Sequence, residues 1–245
     1  MPVIEVQPLP EVKRKNIGSQ MAIDRGGRTI DVIRGIRRGQ RDRVNAPYER
    51  GYFQGSPGDD LTETGTITRA ADSTLISTGS TIDTPAGIHS LDPNTFKFTK
   101  EAELFCELKF NENTLQRCFI GVGKGFFPTS VSNAGVLTLR HFGFIVDDAT
   151  LYASNADGAT QNRTQITGIT LTGFHRYKVI YSSSVAFGGI NKIKFYIDDV
   201  LVTTHTLNIP VNSSAAPIQF AIYNDEAVAK TIDIFNNYIF VFDKP

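Results

Sequence analysis

Tryptophan is absent from this sequence of 245 residues, and cysteine and methionine each occur only twice. Two cysteines in a chain of this length exclude a disulfide framework of the kind that stabilises small secreted domains. No apolar run approaches the about 18 residues of a membrane-spanning helix. The first residues, MPVIEVQPLPEVKRK, lack the continuous apolar segment of a secretory signal peptide. We therefore expect a protein that is made and folded in cytoplasm and is not exported by a signal peptide.

The formal net charge is zero, so no overall field draws the protein to nucleic acid or to a membrane. The charges are nevertheless unevenly distributed. Residues 1–50 contain 11 Lys and Arg against 6 Asp and Glu, whereas residues 51–245 contain 14 against 19. The first segment thus carries +5 and the remainder −5. Such an asymmetry indicates an interaction segment at the N-terminal side.

Residues 1–55 are predicted to be a basic, extended arm, and residues 56–245 a single β-sandwich domain. Pro2, Pro8 and Pro10 favour extended backbone, and glycines weaken helix formation in the arginine-rich part that follows. The arm has too few apolar residues for a core of its own, so we expect it to order against a partner. Interspersed Asp and Glu favour an acidic protein surface over nucleic acid as that partner. The predicted contact residues are Val3, Ile4, Val6, Leu9, Arg34, Arg37, Arg38, Arg41 and Arg43.

Alternation of apolar and polar residues dominates the rest of the chain. It is clearest from Glu101 to Phe110, and two further alternating runs lie between Phe174 and His205. A period of two is typical of antiparallel strands with one buried face. The pair Asp198-Asp199 interrupts the second run and predicts a tight turn. The predicted inward-facing residues are Leu104, Leu108, Ile120, Phe144, Val179, Phe195, Ile197, Phe220 and Ile239.

Two segments carry more local predictions. A turn at residues 111–114 is expected to pair the strand that ends at Phe110 with Leu115–Val122, which would bring Cys106 close to Cys118. We expect two buried free thiols there. A disulfide or a metal pair is the alternative, although two thiolates alone do not make a zinc site. Residues 147–168 are polar and are predicted to be a loop region with a turn at Asp157-Gly158.

A family resemblance rests on the late strands. The order of an apolar strand, a polar loop, the strand KIKFYIDDVLV and a polar loop with proline resembles the concanavalin A-like jelly rolls of lectins, laminin-G domains and glucanases. Asp199 stands where that family usually has glycine. The run Lys230–Phe242, KTIDIFNNYIFVF, is similar to the family's closing strand. The resemblance covers roughly residues 96–242 and implies an all-β, two-sheet antiparallel jelly-roll sandwich. Because this fold carries many functions, it implies little about activity.

The glucanases of this fold resemble one another in a strand motif Glu-x-Asp-x-Glu, whose carboxylates share one face. Glu103 and Glu107 have the outer spacing, but Phe105 occupies the middle position. We interpret the two glutamates as a solvated face balanced by Lys109. The chain also lacks the tryptophan on which such enzymes usually stack their substrate. We therefore predict that the protein is not an enzyme, and we assign no catalytic residue.

The histidines, at positions 89, 141, 175 and 205, share no close spacing, and no metal or cofactor motif occurs. We therefore predict neither a metal nor a cofactor. Calcium is the alternative for the oxygen-rich segment 147–162, but its spacing matches no calcium motif. Loops of the superfamily often carry ligand contacts, and the resemblance implies a glycan site there. The candidates are Asp148, Tyr152, Asn155, Asp157 and Asn162, with Tyr152 as the stacking platform.

Taken together, these features predict a non-enzymatic accessory protein of a virus or phage particle, such as a head decoration, minor capsid or fibre-base protein. Its arm would dock on capsid, portal or tail proteins, its sandwich would face outward, and it would form homo-oligomers in the assembly. One alternative is a glycan-binding module for host recognition, which would contact a surface glycan. A further alternative is a single-jelly-roll capsid shell protein whose arm contacts the genome.

Overall fold

The computed structural model describes residues 14–17, 20–24, 29–30, 50–53, 61–70, 73–90, 98, 101–124, 138–182, 190–211 and 216–243, with the backbone alone for 14–61 and 236–243. Within these ranges the chain forms β-strands and no helix. Accordingly, no helix in the described part is long and apolar enough to cross a membrane. The chain divides into two compact units, Met1–Pro47 and Tyr48–Pro245.

The first unit contains a small antiparallel sheet in the strand order β1-β2-β3. These strands are β1 (Arg14–Ile17), β2 (Gln20–Asp24) and β3 (Thr29–Ile30). Part of the segment predicted to be an extended arm thus forms a small sheet of three strands that pair with one another. The predicted partner-contacting residues, Val3, Ile4, Val6, Leu9, Arg34, Arg37, Arg38, Arg41 and Arg43, lie outside the described residues. Docking by this segment therefore stays a prediction.

The second unit contains the remaining strands. They are β4 (Arg50–Phe53), β5 (Leu61–Thr64), β6 (Thr66–Arg69), β7 (Ser73–Ser77), β8 (Pro85–Ser90), β9 (Ala102–Phe110), β10 (Gln116–Gly123), β11 (His141–Asp147), β12 (Thr150–Ala156), β13 (Gln161–Ile166), β14 (His175–Ser182), β15 (Lys192–Ile197), β16 (Val200–His205), β17 (Ile218–Asn224) and β18 (Thr231–Asp243).

These strands form two antiparallel sheets. The seven-stranded sheet has the order β13-β12-β11-β10-β17-β8-β5. The eight-stranded sheet has the order β16-β15-β14-β9-β18-β7-β6, and β4 also pairs with β18. The all-β two-sheet sandwich predicted from the sequence is therefore confirmed. Because Arg50–Phe53 pairs with β18, the sheet includes residues that precede the predicted domain start at residue 56.

Strict alternation places one face of each sheet in a common core. In β9 the buried and half-buried residues alternate over the whole strand, and in β14 Tyr177, Val179 and Tyr181 are buried while the residues between them are not. The predicted core residues Leu104, Leu108, Ile120, Phe144, Val179, Phe195, Ile197 and Phe220 all belong to one buried cluster. The side chain of Ile239 lies outside the described residues.

The turn at Asp198-Asp199 joins β15 to β16 as the sequence predicts. Both residues adopt positive φ angles, of 50° and 66°. A two-residue hairpin turn of this kind needs left-handed backbone at both positions, which aspartate tolerates better than most residues. The Asp198 carboxylate also accepts a hydrogen bond from the Arg176 backbone N–H at 2.9 Å, which fixes the turn against β14. Aspartate can thus serve where the family usually has glycine.

The predicted pairing of the cysteine-containing strands is wrong. β9 and β10 are not neighbours in one sheet: β9 belongs to the eight-stranded sheet and β10 to the seven-stranded sheet. The chain therefore crosses the core between them instead of closing a hairpin. Cys106 and Cys118 both face this core as buried free thiols, as expected, and burial raises the pKa of each.

Two core tyrosines provide a stability test. Among the described residues the Tyr177 hydroxyl has no hydrogen-bond partner, whereas the Tyr181 hydroxyl lies 2.6 Å from the Pro210 carbonyl oxygen. Removing an unpaired buried hydroxyl relieves a desolvation cost, so Tyr177→Phe should raise the free energy of unfolding by about 1–2 kcal/mol. Tyr181→Phe, the matched control, should lower it by about 1–3 kcal/mol. Urea unfolding of both variants measures this, and a loss of stability in Tyr177→Phe would contradict the assignment.

Candidate functional site

The outer face of the seven-stranded sheet carries an apolar row across its centre. Strand register places Tyr152 opposite Ile145, Ile145 opposite Phe119, and Phe119 opposite Ala221. The last three side chains are fully or almost fully buried, although they point away from the main core. We call Tyr152, Ile145, Phe119 and Ala221 the apolar row. It gives this face a second, smaller hydrophobic layer.

Two glycines, Gly121 and Gly143, lie opposite each other beside the apolar row. A Cβ atom at Gly121 would lie 2.3 Å from the Phe142 carbonyl oxygen, and one at Gly143 would lie 2.2 Å from the Ile120 carbonyl oxygen. Backbone cannot move aside by so much, so only glycine fits at either position. The Phe119 ring lies 2.9 Å from the Cβ position of Gly121 and occupies the space that a side chain would take.

A polar cluster of His141, Ser154 and Gln161 lies beyond the glycines. His141 Nδ1 is 2.6 Å from the Leu139 carbonyl oxygen, so this nitrogen carries the proton and donates. His141 Nε2 then accepts from the Ser154 hydroxyl at 2.8 Å, and Gln161 Nε2 donates to the same hydroxyl oxygen at 3.0 Å. Burial lowers the pKa of His141 to about 4, which keeps the imidazole neutral at pH 7.

Two arginine–aspartate pairs lie on this face. Arg117 and Asp147 lie on the other side of the apolar row, whereas Arg163 lies opposite Ser154 and its side chain reaches across Tyr152 to Asp147. Arg163 lies 3.7 Å over the Tyr152 ring and 3.4 Å from the Asp147 carboxylate. Arg117 binds Asp225 at 2.9 Å and lies 6.0 Å from the centre of the Tyr223 ring. We call Arg163, Asp147, Arg117 and Asp225 the charged row. Their side chains are 20–34% exposed, so solvent and ligands can reach them.

The two pairs of the charged row are adjacent, because Arg117 and Asp147 face each other directly across β10 and β11. The pKa of Asp225 is raised, mainly by burial and also by the negative charges of Asp83 and Asp147, while Arg117 opposes the shift. Asp83 also accepts a hydrogen bond from the Tyr223 hydroxyl. Carboxylates thus outnumber guanidinium groups around the charged row, and acceptor and donor groups alternate along it.

The segment predicted to be a polar loop, residues 147–168, is instead mostly the hairpin of β12 and β13. Of the predicted glycan contacts, only Tyr152 lies on the outer face beside the charged row. Asp148 and Asp157 lie at opposite ends of β12, and Asn155 is buried. Asn162 pairs with Asn155 across the hairpin and shares its side of the sheet. The structure therefore does not bring these five residues together, and their role in binding stays a prediction.

The two predicted aspartates hold turns. Asp148 Oδ1 accepts from the Leu115 backbone N–H at 2.6 Å, and Asp157 Oδ1 accepts from the backbone N–H groups of Ala159 and Thr160 at 2.9 Å each. These backbone hydrogen bonds lower the pKa of Asp157 despite a small opposing effect of burial. Among the described residues, no group of three His, Cys, Asp or Glu could hold a metal ion.

Asn155 belongs to a buried connection between the two sheets. Its amide Nδ2 donates to the carbonyl oxygens of Leu207 and Asn208, at 2.9 and 2.6 Å. Its Oδ1 accepts from His205 Nδ1 at 2.5 Å, and His205 Nε2 accepts from the Thr164 hydroxyl at 2.8 Å. Since His205 ends the edge strand β16 and Thr164 lies on the edge strand β13, this connection closes one side of the sandwich. Burial lowers the pKa of His205 to about 4.

The glutamates weighed as a catalytic pair lie elsewhere. Glu103 and Glu107 are half-buried on β9, in the eight-stranded sheet, and Glu103 lies 3.9 Å from Lys178. Lys109, predicted to balance them, lies 3.8 Å from Asp233 instead. The charged row and these glutamates therefore belong to different sheets.

The sequence does not single out Arg117, Arg163 or Asp225 as site residues. They come from different strands, and each occupies an outward or strand-end position that the sequence alone presents as ordinary surface. One signal for Arg117 is present in the sequence. Cys118 and Ile120 face the core, so alternation along the strand places Arg117 on the outer face.

Comparisons with known proteins support the fold. No protein-family model and no curated protein matches the chain. A β-glucanase from Bacillus licheniformis matches with a TM-score of 0.56 and 12% identity, over 80% of this chain and 98% of that chain. The carbohydrate recognition domain of Emp46p, in a potassium-bound form, matches with a TM-score of 0.54 and 9% identity, over 74% and 88%. A protein of unknown function from Shewanella oneidensis MR-1 matches with a TM-score of 0.52 and 14% identity, over 80% and 86%.

Similar structures at identities this low show the fold alone, and these structures confirm the predicted concanavalin A-like sandwich. They contradict the prediction that the protein is not an enzyme, because β-glucanases and a glycosidic hydrolase are among the similar structures. The absence of a Glu-x-Asp-x-Glu motif was too narrow a criterion, since the same fold serves enzymes and lectins. Neither class follows from the fold.

The buried connection at His205 predicts a pH dependence of stability. Unfolded histidine binds a proton near its ordinary pKa of 6.5, whereas folded His205 does so only near 4. The unfolded state therefore binds more protons between these values, and the free energy of unfolding should fall as the pH drops from 6.5 to 4. This difference in the pKa of His205 between the unfolded and folded states corresponds to about 3 kcal/mol in the free energy of unfolding.

The variant His205→Gln lacks the titrating group and should lose this part of the pH dependence. Urea unfolding of both proteins between pH 7 and 4 measures the difference, and His141, present in both, cancels. Equal pH dependence in the two proteins would show that His205 does not titrate as described.

Proposed function

Because the chain has the concanavalin A-like jelly-roll fold, we propose that it binds a glycan through the charged row on the outer face of the seven-stranded sheet. The observation that carries this proposal is the pair of partly exposed arginine–aspartate ion pairs, flanked by Tyr152 and Tyr223. The carbohydrate recognition domains among the similar structures lend support at the level of the fold.

The chemistry of the charged row suits sugar hydroxyls. A carboxylate only accepts hydrogen bonds and a guanidinium only donates them, whereas a hydroxyl does both. A hydroxyl can therefore bridge the two members of an ion pair. Hydrogen bonds to charged groups are stronger than those between neutral groups, which compensates for the water that both surfaces lose.

The charged row is also held in place before a ligand arrives. Arg163 is fixed between the Tyr152 ring and Asp147, and Arg117 between Asp225 and the Tyr223 ring. Arg117, Asp147 and Arg163 project from paired strands, and Asp225 follows the end of β17, where its backbone N–H donates to the Leu115 carbonyl oxygen at 2.9 Å. Groups fixed in this way lose little further entropy on binding.

The biological setting remains our proposal from the sequence. We propose that the protein is an accessory component of a viral particle, that residues 1–55 attach it to a capsid, portal or tail protein, and that glycan binding then serves host recognition. The support for this is the charge of +5 on residues 1–50 against −5 on the remainder. The same asymmetry would suit a capsid shell protein whose arm contacts the genome.

Substituting one member of the charged row tests the proposed site. Arg163→Gln removes a charged donor and leaves Asp147 without its arginine partner, so it should weaken glycan binding by roughly 10- to 100-fold, as expected for a charged hydrogen bond. The ligand is the strongest binder found on a broad glycan array, and calorimetry gives the affinity. The matched control is Lys194→Gln, a half-buried lysine on the eight-stranded sheet.

Both variants should keep the wild-type melting temperature to within a few degrees. Equal binding by wild type and Arg163→Gln, or an equal loss in Lys194→Gln, would rule out the charged row as the site.

A further inference from the structure

We propose that copies of this chain join one another, with the arginine-rich segment of one copy, residues 31–43, bound to the acidic end of the sandwich of a second copy. The acidic end consists of four turns that connect strands at one end of the sandwich. These are residues 79–84, 111–115, 148–149 and 225–230. The inference goes beyond the proposed function, because it concerns the assembly of the protein with itself.

The turns of the acidic end are held together by hydrogen bonds. The buried Asn224 side chain donates from Nδ2 to the carbonyl oxygen of Thr81 at 2.7 Å and to that of Glu226 at 3.0 Å. The next residue, Asp225, donates its backbone N–H to the Leu115 carbonyl oxygen at 2.9 Å. Because these contacts join three turns, the acidic end is a preformed surface that loses little entropy when a partner binds.

Three aliphatic side chains on these turns are exposed to solvent. Ile82 is 52% exposed, Leu115 45% and Val228 46%. The backbone N–H of Leu115 donates to the Asp148 carboxylate at 2.6 Å, which fixes the position of this residue. Covering exposed aliphatic groups releases water from them and contributes to the affinity of a docking surface.

Negative charge surrounds the aliphatic side chains. The four turns and the neighbouring Arg117 contain five carboxylates against two cations, a net charge of −3. The carboxylates are those of Asp83, Glu112, Asp148, Asp225 and Glu226. Arg117 pairs with Asp225, and Lys230 pairs with Glu226. Within the described part of the chain, the other three carboxylates take part in no ion pair.

The chain itself contains a segment of complementary chemistry. Residues 31–43, DVIRGIRRGQRDR, contain five arginines against two aspartates, a net charge of +3. They also contain Val32, Ile33 and Ile36, and they lie outside the described residues. Arginine binds carboxylates through two parallel hydrogen bonds, and aliphatic side chains cover aliphatic ones. The charge of the segment is thus equal and opposite to that of the acidic end.

Chain length assigns the contact to a second copy. β4 begins at Arg50, which pairs with Asp243 at the far end of β18, whereas the turn at 225–230 precedes the first residue of this strand. A strand of 13 residues is about 35–40 Å long. The seven residues from Arg43 to Arg50 span at most about 25 Å. Arg43 therefore cannot reach the acidic end of its own copy, but it can reach that of a neighbour.

Sedimentation velocity of the full chain tests whether copies associate. We expect the sedimentation coefficient to rise with protein concentration between about 1 and 500 µM, as mass action requires for a self-associating protein. Raising the salt concentration from about 0.1 to 0.5 M should weaken the association at least about tenfold, because the contact joins opposite charges that solvent can reach.

A surface variant removes the negative charge of the acidic end. Asp83→Asn, Glu112→Gln and Asp148→Asn together remove three charges, and the new amide at position 148 still offers an oxygen to the Leu115 N–H. This variant should associate at least about tenfold more weakly than wild type. The matched control replaces three glutamates near or on β9 in the other sheet, Glu101→Gln, Glu103→Gln and Glu107→Gln, and should associate like wild type.

An arm variant removes positive charge from the segment. Arg37→Gln, Arg38→Gln and Arg41→Gln should also weaken association at least about tenfold. These substitutions lie outside the strands of the sandwich, so this variant decides the matter even if urea unfolding shows that the surface variant is destabilised.

Mixing the two variants tests exchange between copies. The arm variant has an intact acidic end and the surface variant has an intact segment, so the mixture should form a one-to-one complex although neither variant associates with itself. A wild-type chain that stays monomeric, association that persists in the arm variant, or variants that do not combine would overturn the proposal. The glycan proposal is tested separately, because both variants keep all four side chains of the charged row.

Discussion

The period-two pleat of the strands is the constraint on which the rest of this structure depends. Because successive side chains point to opposite faces, the residues that fill the core also determine which residues face outward. Cys118 and Ile120 lie in the main core, so Arg117 and Phe119 must lie on the outer face of the same strand. A shift of one residue would exchange the two sets and abolish both the core and the charged row.

The charged row is a product of strand order as well as of alternation. Its members come from β13, β11, β10 and the end of β17, and antiparallel register places Arg117 opposite Asp147. The close approach of backbone at Gly121 and Gly143 helps to hold β10 and β11 in that register, since no side chain fits between them. The buried connection of Asn155, His205 and Thr164 closes the neighbouring edge of the sandwich.

The sequence predicts much of the fold because alternation is a local signal. The inward faces of β9, β14 and β15 and the turn at Asp198-Asp199 can all be read from neighbouring residues. Pairing between strands is not local, so the sequence predicts one hairpin for β9 and β10 although they lie in different sheets. Residues 147–168 have the composition of a loop because their inward positions include Asn155 and Thr164, whose polar groups are satisfied only by distant partners.

The candidate site was the least predictable part. Tyr152 can be predicted from its residue type. Arg117, Arg163 and Asp225 can be recognised as parts of one site only when the strand order of the sheet is known. The fold could not supply the missing information, since similar structures include both carbohydrate recognition domains and β-glucanases.

Side-chain NMR of the ¹⁵N-labelled protein tests the central claim most directly, because arginine Nε–Hε signals report on each guanidinium separately. On addition of the strongest binder found on the glycan array, the account predicts shifts in the signals of Arg117 and Arg163 on the seven-stranded sheet, with the Arg176 signal on the eight-stranded sheet unchanged. Shifts at Arg176, with Arg117 and Arg163 unaffected, would place the binding surface on the opposite sheet and contradict the account.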